Sequence, residues 1–316
     1  MKVLITGGAG FIGSNLTESL LQDNRIELVR VLDNFATGFK ENLEPFMKDP
    51  KFELVEGDIR DFKTCQNAID QINVISHQAA LGSVPRSVSD PITTNNVNIT
   101  GSLNIINAAK EANAKVVFAA SSSTYGDHKS LPKVEDEIGN PLSPYAVTKL
   151  VNELYAKVFS SIYDFNYIGL RYFNVFGPRQ SPKGAYAAVI PLFFDALLKG
   201  EAPTIHGDGL QSRDFTYVGN AVHANTQAIF SENKEAWNQI YNIAYGQQTS
   251  LVELYKIIQN LVGSDLEANF GPTRAGDVKH SLANISKANR LLNYKPKVTV
   301  EEGLEKTFKW SKVSKV

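Results

Sequence analysis

A single cysteine, Cys65, stands among 316 residues, which excludes an internal disulfide and fits a reducing compartment. No apolar run approaches the roughly 20 residues that a membrane-spanning helix needs; the longest are strand-length. Charge of one sign is not in excess either. The formal net charge is −1, so there is no basic footprint for nucleic acid or an anionic membrane surface. The five histidines, His77, His128, His206, His223 and His280, show no ligand spacing, and no metal is expected. Met1-Lys2 is followed by only a few apolar residues before glycines, which does not make a secretory leader, and the expected location is the cytoplasm. Internal repeats and low-complexity stretches are missing too. What remains is 43% hydrophobic and 21% charged, ordinary for a chain that closes one large domain or two modest ones around a full core.

The first half alternates β-rich runs with helical spacing. Strands are predicted at 3–6, 28–33, 52–56, 74–78, 116–120 and 167–173. Helices are predicted at 11–22, at about 95–112 and at 145–163, the last opened by Ser143-Pro144. This alternation predicts an α/β fold, a Rossmann-like doubly wound parallel sheet covered on both faces. After about Phe176 the texture changes, and Gly177-Pro178, Pro182-Lys183-Gly184 and His206-Gly207-Asp208-Gly209 punctuate shorter elements. The expected division is a doubly wound domain over 1–175 and a smaller mixed α/β lobe over 176–316. Some segments of the second part return to the first, and residues 311–316 are expected to fray.

Val3-Leu4-Ile5-Thr6-Gly7-Gly8-Ala9-Gly10-Phe11-Ile12-Gly13 reads as strand, glycine turn and helix start. Glycines at 7, 10 and 13 let the backbone turn tightly, approach a pyrophosphate and pack helix on strand. The helix N-terminus then offers its N–H groups to the phosphates. Asp33 ends the second predicted strand, twenty residues after Gly13. A carboxylate there accepts the ribose hydroxyls of NAD and repels a 2′-phosphate; Asn34-Phe35 follows, not the arginine that NADP would favour. The plainer readings are a ligand-free glycine turn and an Asp33 that only caps a turn or helix. Asp58, in Glu56-Gly57-Asp58-Ile59, is placed for the adenine edge or is a turn residue.

Tyr145 and Lys149 stand four apart at the start of a predicted helix and share a face. An ammonium beside a phenol favours the phenolate and makes tyrosine a usable general base; alone, the same spacing also describes a surface pair. Ser121-Ser122-Ser123 follows a predicted strand at its carboxyl end, where ligands of open parallel sheets sit. A serine there can relay a proton between a substrate hydroxyl and the tyrosine, although such runs also serve as turns.

T-G-G-A-G-F-I-G from Thr6, S-S-S-T-Y-G from Ser121, Y-A-V-T-K from Tyr145 and R-Y-F-N-V-F-G from Arg171 occur in this order. Over nearly the whole chain the sequence resembles the extended short-chain dehydrogenase/reductase family, within it the nucleotide-sugar 4-epimerases. It looks most similar to the UDP-N-acetylhexosamine 4-epimerase branch, through the runs at 78–87 and 184–191. The resemblance implies an enzyme that keeps NAD bound and inverts carbon 4 of a UDP-hexose through a 4-keto sugar. The implied substrates are UDP-N-acetylglucosamine and UDP-N-acetylgalactosamine, with UDP-glucose, UDP-galactose or a uronic acid form as further ones.

By position, the resemblance implies that Gly7, Gly10, Phe11, Ile12, Gly13, Asp33, Asn34, Asp58, Ile59, Gln78, Ala79, Ala80, Asn98, Tyr145, Lys149 and Tyr172 face NAD. Ser121 and Tyr145, with Lys149, handle the 4-hydroxyl, and Ser122 touches the sugar. Asn174 holds the diphosphate or sugar, Val189 lies on the substrate side, and Arg213, Arg274 and Asp277 grip the uridine diphosphate. Two positions depart from the galactose-type pattern: Gly82 stands where that type often has lysine, and Ser281 where some members place a bulky residue. Small residues there leave room for a 2-N-acetyl group, with Gly82-Ser83 adding room and a hydrogen bond. Dehydratases and decarboxylases of the family carry a carboxylate just after the strand-end Ser/Thr, and here Ser122-Ser123 stand instead. A ketoreductase that exchanges its NAD and a non-catalytic NAD sensor are the remaining alternatives. The resemblance also implies a homodimer built by a four-helix bundle from helices near 95–112 and 145–163.

Overall fold

Consecutive apolar residues mark the first strand: Val3, Leu4 and Ile5 are each fully buried, which requires cover on both faces of a sheet. In the computed structural model, which describes residues 1–182, 187–273 and 279–313, this strand is β1 (Lys2–Thr6), an inner strand of a seven-stranded sheet. The others are β2 (Leu28–Asp33), β3 (Phe52–Glu56), β4 (Val74–His77), β5 (Lys115–Ser121), β6 (Tyr167–Tyr172) and β7 (Gln239–Ile243). Every pairing is parallel, and the order is β3-β2-β1-β4-β5-β6-β7. Strand order therefore reverses between β1 and β4, and a crevice opens there at the carboxyl ends of the strands.

Alternate residues of each strand feed two cores. Val3, Ile5, Val29 and Val31 pack with Leu16 and Leu20 of helix α1 (Phe11–Leu21). Leu4, Leu32, Ile75 and Phe118 pack with Cys65 of α2 (Phe62–Ile69), Ile105 and Ile106 of α3 (Ser102–Glu111) and Ala156 of α4 (Pro144–Tyr163). Helix α5 (Val218–Ile229), from the second half of the chain, joins the α1 side through Val222 and Ile229, and β7 extends the sheet beyond β6.

The predicted helix at 95–112 is three pieces: Pro91–Asn95, a π-helical turn Asn96–Gly101, and α3. An inserted residue shifts register without disturbing the apolar period, so the break was invisible to pattern reading. Three two-stranded pairings lie outside the seven-stranded sheet: Val175–Phe176 with Thr216–Tyr217, Ser212–Arg213 with Thr249–Ser250, and Thr204–His206 with Asn269–Gly271. Helices Val189–Leu198, Leu251–Val262 and Val300–Val313 close on them around Phe176, Phe193, Phe215, Leu254 and Leu304. Ser250 and Glu253 form a capping box that starts the second of these helices, and Gly263, at φ +75°, ends it. No helix among the described residues is long and apolar enough to cross a membrane.

Candidate active site

The turn between β1 and α1 and the helix start have space only for glycine at two positions. Gly7 has φ +71°, and a Cβ there would lie 2.7 Å from the Ala79 backbone; at Gly13 it would lie 2.2 Å from the Gly7 carbonyl oxygen. Helix α1 begins at Gly10 with no side-chain cap, so the amides of its first turn are left for a ligand. They face a cavity of about 660 Å³ that runs along the carboxyl ends of the strands. Gly7, Gly10, Phe11, Ile12, Gly13, Asp33, Asn34, Asp58, Ile59, Gln78, Ala79, Ala80, Gly82, Ser121, Ser122, Tyr145, Lys149, Tyr172 and Asn174 all line it.

Asp33 sits at the far end with both oxygens engaged, Oδ2 by the Ala9 amide at 2.9 Å and Oδ1 by the Phe35 amide at 2.8 Å. Burial raises its carboxyl above the ordinary value, against those amides. A carboxylate has lone pairs to spare for two ribose hydroxyls. Asp58 is held by Arg60, which pairs with it at 2.6 Å, and by the Asn34 amide at 2.8 Å. The Arg60 guanidinium and this amide hold its carboxyl down at about 2, although it is partly buried. Arg60 lines the cavity, and sequence reasoning missed it. Its signal was present, since i and i+2 around an aspartate turn bring the two side chains together. The glycine cradle, uncapped helix and buried acid fit a dinucleotide without a 2′-phosphate.

Gln78 donates to Ser76 Oγ at 2.9 Å and to Asn225 Oδ1 at 3.0 Å, and accepts from the Tyr172 hydroxyl at 3.2 Å. Asn225 in turn donates to the Tyr172 oxygen at 2.7 Å, so a helix of the second half braces the cavity floor. Asn98 does not line the cavity. It is fully buried on the π-helical turn and clasps the Leu81 backbone, accepting from its N–H at 2.8 Å and donating to its carbonyl at 3.2 Å. Its contribution is to hold the 79–82 wall in place.

Ser143 caps α4 through the Ala146 amide, and the first turns of that helix bring Tyr145 and Lys149 to the cavity. Ser121 ends β5 and its oxygen accepts from the Ser123 amide at 3.1 Å. It also accepts from the Ser123 hydroxyl at 2.9 Å. The Lys149 ammonium lies 5.9 Å from the Tyr145 ring centroid and donates to the Ala119 carbonyl at 2.7 Å. The sequence predicts a phenol made acidic by this lysine; in the structure burial raises the Tyr145 hydroxyl, with the Ser121 hydroxyl working against it. Burial also brings the Lys149 ammonium down to about 8, opposed by the attraction of Glu153. The lysine is thus turned to a backbone acceptor, and its field does not outweigh desolvation of the phenolate.

A second cavity of about 540 Å³ adjoins the first at Asn174 and Val175. Val189 and Arg213 line it, with Gln180, His206 and Gln211. Asn174, at φ +35°, donates to the Asp214 carbonyl at 3.2 Å. The Asp214 carboxylate accepts the amides of Tyr245, Gly246 and Ala283 at 3.1 Å; burial pushes its carboxyl up to about 6. Ser83 and Ser281 line neither cavity: Ser83 caps the Val84–Ser89 helix through the Arg86 amide, and Ser281 donates its amide to the Ser212 carbonyl. Arg274 and Asp277 lie outside the described residues, as does part of the 184–191 run. Among the described residues no group of three or more His, Cys, Asp or Glu could hold a metal ion.

Residues 3–244 match the model of the NAD dependent epimerase/dehydratase family. Among curated proteins, the chain is 40% identical over 315 residues to the putative UDP-glucose 4-epimerase of Methanocaldococcus jannaschii, covering 98% of both chains. Among solved structures it is similar to the UDP-N-acetylglucosamine 4-epimerase of Methanobrevibacter ruminantium M1 in complex with UDP-N-acetylmuramic acid. That match has 40% identity and a TM-score of 0.93, over 100% of this chain and 99% of the other. It is also similar to the UDP-glucose 4-epimerase of Thermotoga maritima with UDP-glucose, at 34% identity and a TM-score of 0.93, over the whole of both chains.

Proposed function

Since the chain belongs to the NAD-dependent epimerase/dehydratase family, we propose that it inverts carbon 4 of a UDP-hexose, with 2-N-acetylated sugars as its preferred substrates. The observation that carries the reading is the meeting of Ser121, Tyr145 and Lys149 in the same cavity as the glycine cradle. NAD, when bound, supplies the acceptor and donor of the carbon-4 hydride, and its cationic ring adds to Lys149 in favouring the phenolate. Tyr145 takes the proton of the 4-hydroxyl, directly or through Ser121, and returns it once the sugar has presented its other face. Ser122 and Ser123, which line the cavity after β5, carry no carboxylate, where dehydratases of the family carry one.

The second cavity, with Arg213 and Val189 in its wall, is suited to the uridine diphosphate, and Asn174 stands where the two cavities meet. A planar guanidinium fits a pyrophosphate through paired charged hydrogen bonds; Arg274 and Asp277 are proposed to share that grip. Anchoring the nucleotide while the hexose turns requires firm contacts there and loose ones around the sugar. For the N-acetyl group, the support is Gly82: it lines the first cavity, and an added Cβ would meet nothing within 4 Å. The UDP-N-acetylglucosamine 4-epimerase at 40% identity supports the same choice.

A homodimer is part of the proposal. Exposed apolar residues form stripes on α4, at Val147, Leu154, Val158 and Ile162, and on the neighbouring segment, at Val88 and Ile92. Helix α3 bears no such residue, so the bundle pairs α4 with the Val84–Asn95 segment and not with 102–111. The deciding experiment incubates the purified protein with UDP-N-acetylglucosamine, UDP-glucose and UDP-N-acetylglucosaminuronate separately and resolves products by NMR. Carbon-4 epimers formed without net consumption of added NAD support the reading. A dehydrated or reduced sugar, or no conversion of any of the three, overturns it.

A further inference from the structure

Glu153 lies one turn beyond Lys149 on α4, and both are buried, at 7% and 4% exposure. Arg171 of β6 holds its carboxylate by two hydrogen bonds, from Nε to Oε1 at 2.8 Å and from Nη2 to Oε2 at 2.7 Å. The third arm of the guanidinium, Nη1, donates to the Glu135 carbonyl at 2.8 Å. Its plane lies against Tyr125, with the central carbon 4.9 Å from the ring centroid. Tyr125 closes the 3-10 turn Ser122–Tyr125 that Ser121 caps, and its hydroxyl donates to Asn242 of β7 at 2.6 Å. One ion pair therefore ties the helix bearing Tyr145 and Lys149 to the turn that Ser121 caps.

Burying such a pair is a poor way to gain stability, because apolar replacements of the same volume are often as stable. Neither member lines the cavity. The pair's place next to Lys149 needs another reason. We propose that Glu153, held by Arg171, is a positioning residue of the reaction, keeping the Lys149 ammonium charged and in register with Ser121. The inference rests on the epimerase reading above.

The groups around Lys149 leave Glu153 as its source of negative charge. His77 of β4 is enclosed between Thr6 Oγ1 and Ser102 Oγ at 2.7 and 2.8 Å, and burial lowers its ring to about 3, so it is neutral. Tyr125, Tyr167 and Tyr172, from the turn and from β6, are phenols pushed up to about 12 by burial and are neutral as well. Glu135 gives its carbonyl to Arg171 and its carboxylate oxygen to the Asn242 amide at 3.0 Å. Arg86, Asp90, Lys110 and Glu111, on the helical segments packed along α4, are partly or fully exposed. Without Glu153 the lysine keeps its desolvation and loses the attraction that opposes it, which favours loss of its proton.

The test is the pH profile of kcat for the NAD-loaded enzyme on UDP-N-acetylglucosamine, or on UDP-glucose if only that is turned over. In Glu153→Gln the alkaline limb moves to lower pH by about half a unit or more while KM changes less than about twofold, and Glu153→Asp returns the limb toward its wild-type position. A purely structural Glu153 would lower the rate evenly across the profile and leave the limb in place, and that result overturns the inference. If Glu153→Gln does not fold, the double variant Glu153→Gln/Arg171→Gln replaces the ion pair by a neutral amide pair and is read the same way, an unmoved limb again counting against it. A wild-type protein that epimerises no UDP-hexose removes the reading itself, and the inference with it, whereas an active wild type with an unmoved limb removes the inference alone.

Discussion

The Lys149 ammonium stands 5.9 Å from the Tyr145 ring centroid and gives its hydrogen bond to the Ala119 carbonyl at 2.7 Å. A cation is thus buried with a single neutral acceptor, a placement that costs stability and is justified only by the chemistry next to it. Burial brings Lys149 from its ordinary 10.5 to about 8 in the folded chain. Between those two pH values the unfolded chain holds a proton that the folded chain has released, so this group makes the wild type more stable as pH rises through the window. Lys149→Met removes the buried charge but leaves the Ala119 carbonyl without its donor. At pH 7 the variant should be inactive and more stable than wild type by about 1 kcal/mol. Thermal denaturation at pH 7 and pH 10 checks this: the gap narrows at the higher pH. A variant less stable at pH 7, with the wild-type pH slope, contradicts the account.

Tyr145→Phe keeps the ring and removes only the proton-transferring oxygen. Its kcat should fall by about 10² to 10⁴-fold, with bound NAD and the KM for UDP-sugar close to wild type. Ser121→Ala should be milder, because the phenol can still reach the sugar hydroxyl directly. Steady-state rates read by NMR or a coupled assay decide it, and a Phe variant retaining most of its rate would falsify the assignment of the base.

Gly13→Ala sets a methyl group 2.2 Å from the Gly7 carbonyl and 2.8 Å from the Gly8 Cα, all backbone that can yield only by opening the turn. The variant should lose co-purifying NAD, released by denaturation and measured by chromatography, and destabilise the chain by about 1–3 kcal/mol. Gly82→Ala is the matched control, since nothing lies within 4 Å of the added carbon; it should retain NAD. Retention by both variants would show that the turn is not the cradle.

The residues that meet in the first cavity were readable because each group is a local pattern: three glycines, an acid at a strand end, a tyrosine and lysine one turn apart. Six of the seven sheet strands were legible for the same reason, as short apolar runs between turn residues. The strand Gln239–Ile243 was not: it pairs with β6 across about seventy residues of sequence, and nothing local announces that return. Asn98 bonds the Leu81 backbone from a π-helical turn, a contact no local pattern announces, because such a turn redirects a side chain without altering composition. The braces beneath the site, Asn225 against Gln78 and Arg171 against Glu153, join residues far apart in sequence or on different elements, and only the fold brings them together.

The proposed dimer rests on apolar side chains that the monomer leaves uncovered, Ile92 at 73% exposure and Ile162 at 62% among them. Scattered apolar surface is ordinary, but stripes on two adjoining helical segments are suited to a self-complementary interface. Leu154→Glu combined with Ile92→Glu should give a monomer by light scattering after size exclusion while leaving the fold intact by circular dichroism. A wild type that is monomeric at micromolar concentration, or a double variant that still dimerises, rejects the bundle.

Substrate choice is the part of the reading on which small changes should have the largest effect. Gly82 lies at the wall of the first cavity, and its neighbours are held by Asn98, which bonds the Leu81 backbone on both sides. A Cβ added at 82 meets nothing within 4 Å, and on the proposed reading a long side chain there extends over the hexose. Gly82→Lys should reduce turnover of UDP-N-acetylglucosamine by at least about tenfold, the scale of a lost or blocked group in a pocket, while UDP-glucose turnover falls much less. The comparison is a ratio of kcat/KM values on one preparation, so a general loss of folding or of NAD cancels from it. Equal loss on both sugars would mean that the acetamido group lies elsewhere, beside Ser281 or among residues 274–278, and that the space at Gly82 does not select the substrate.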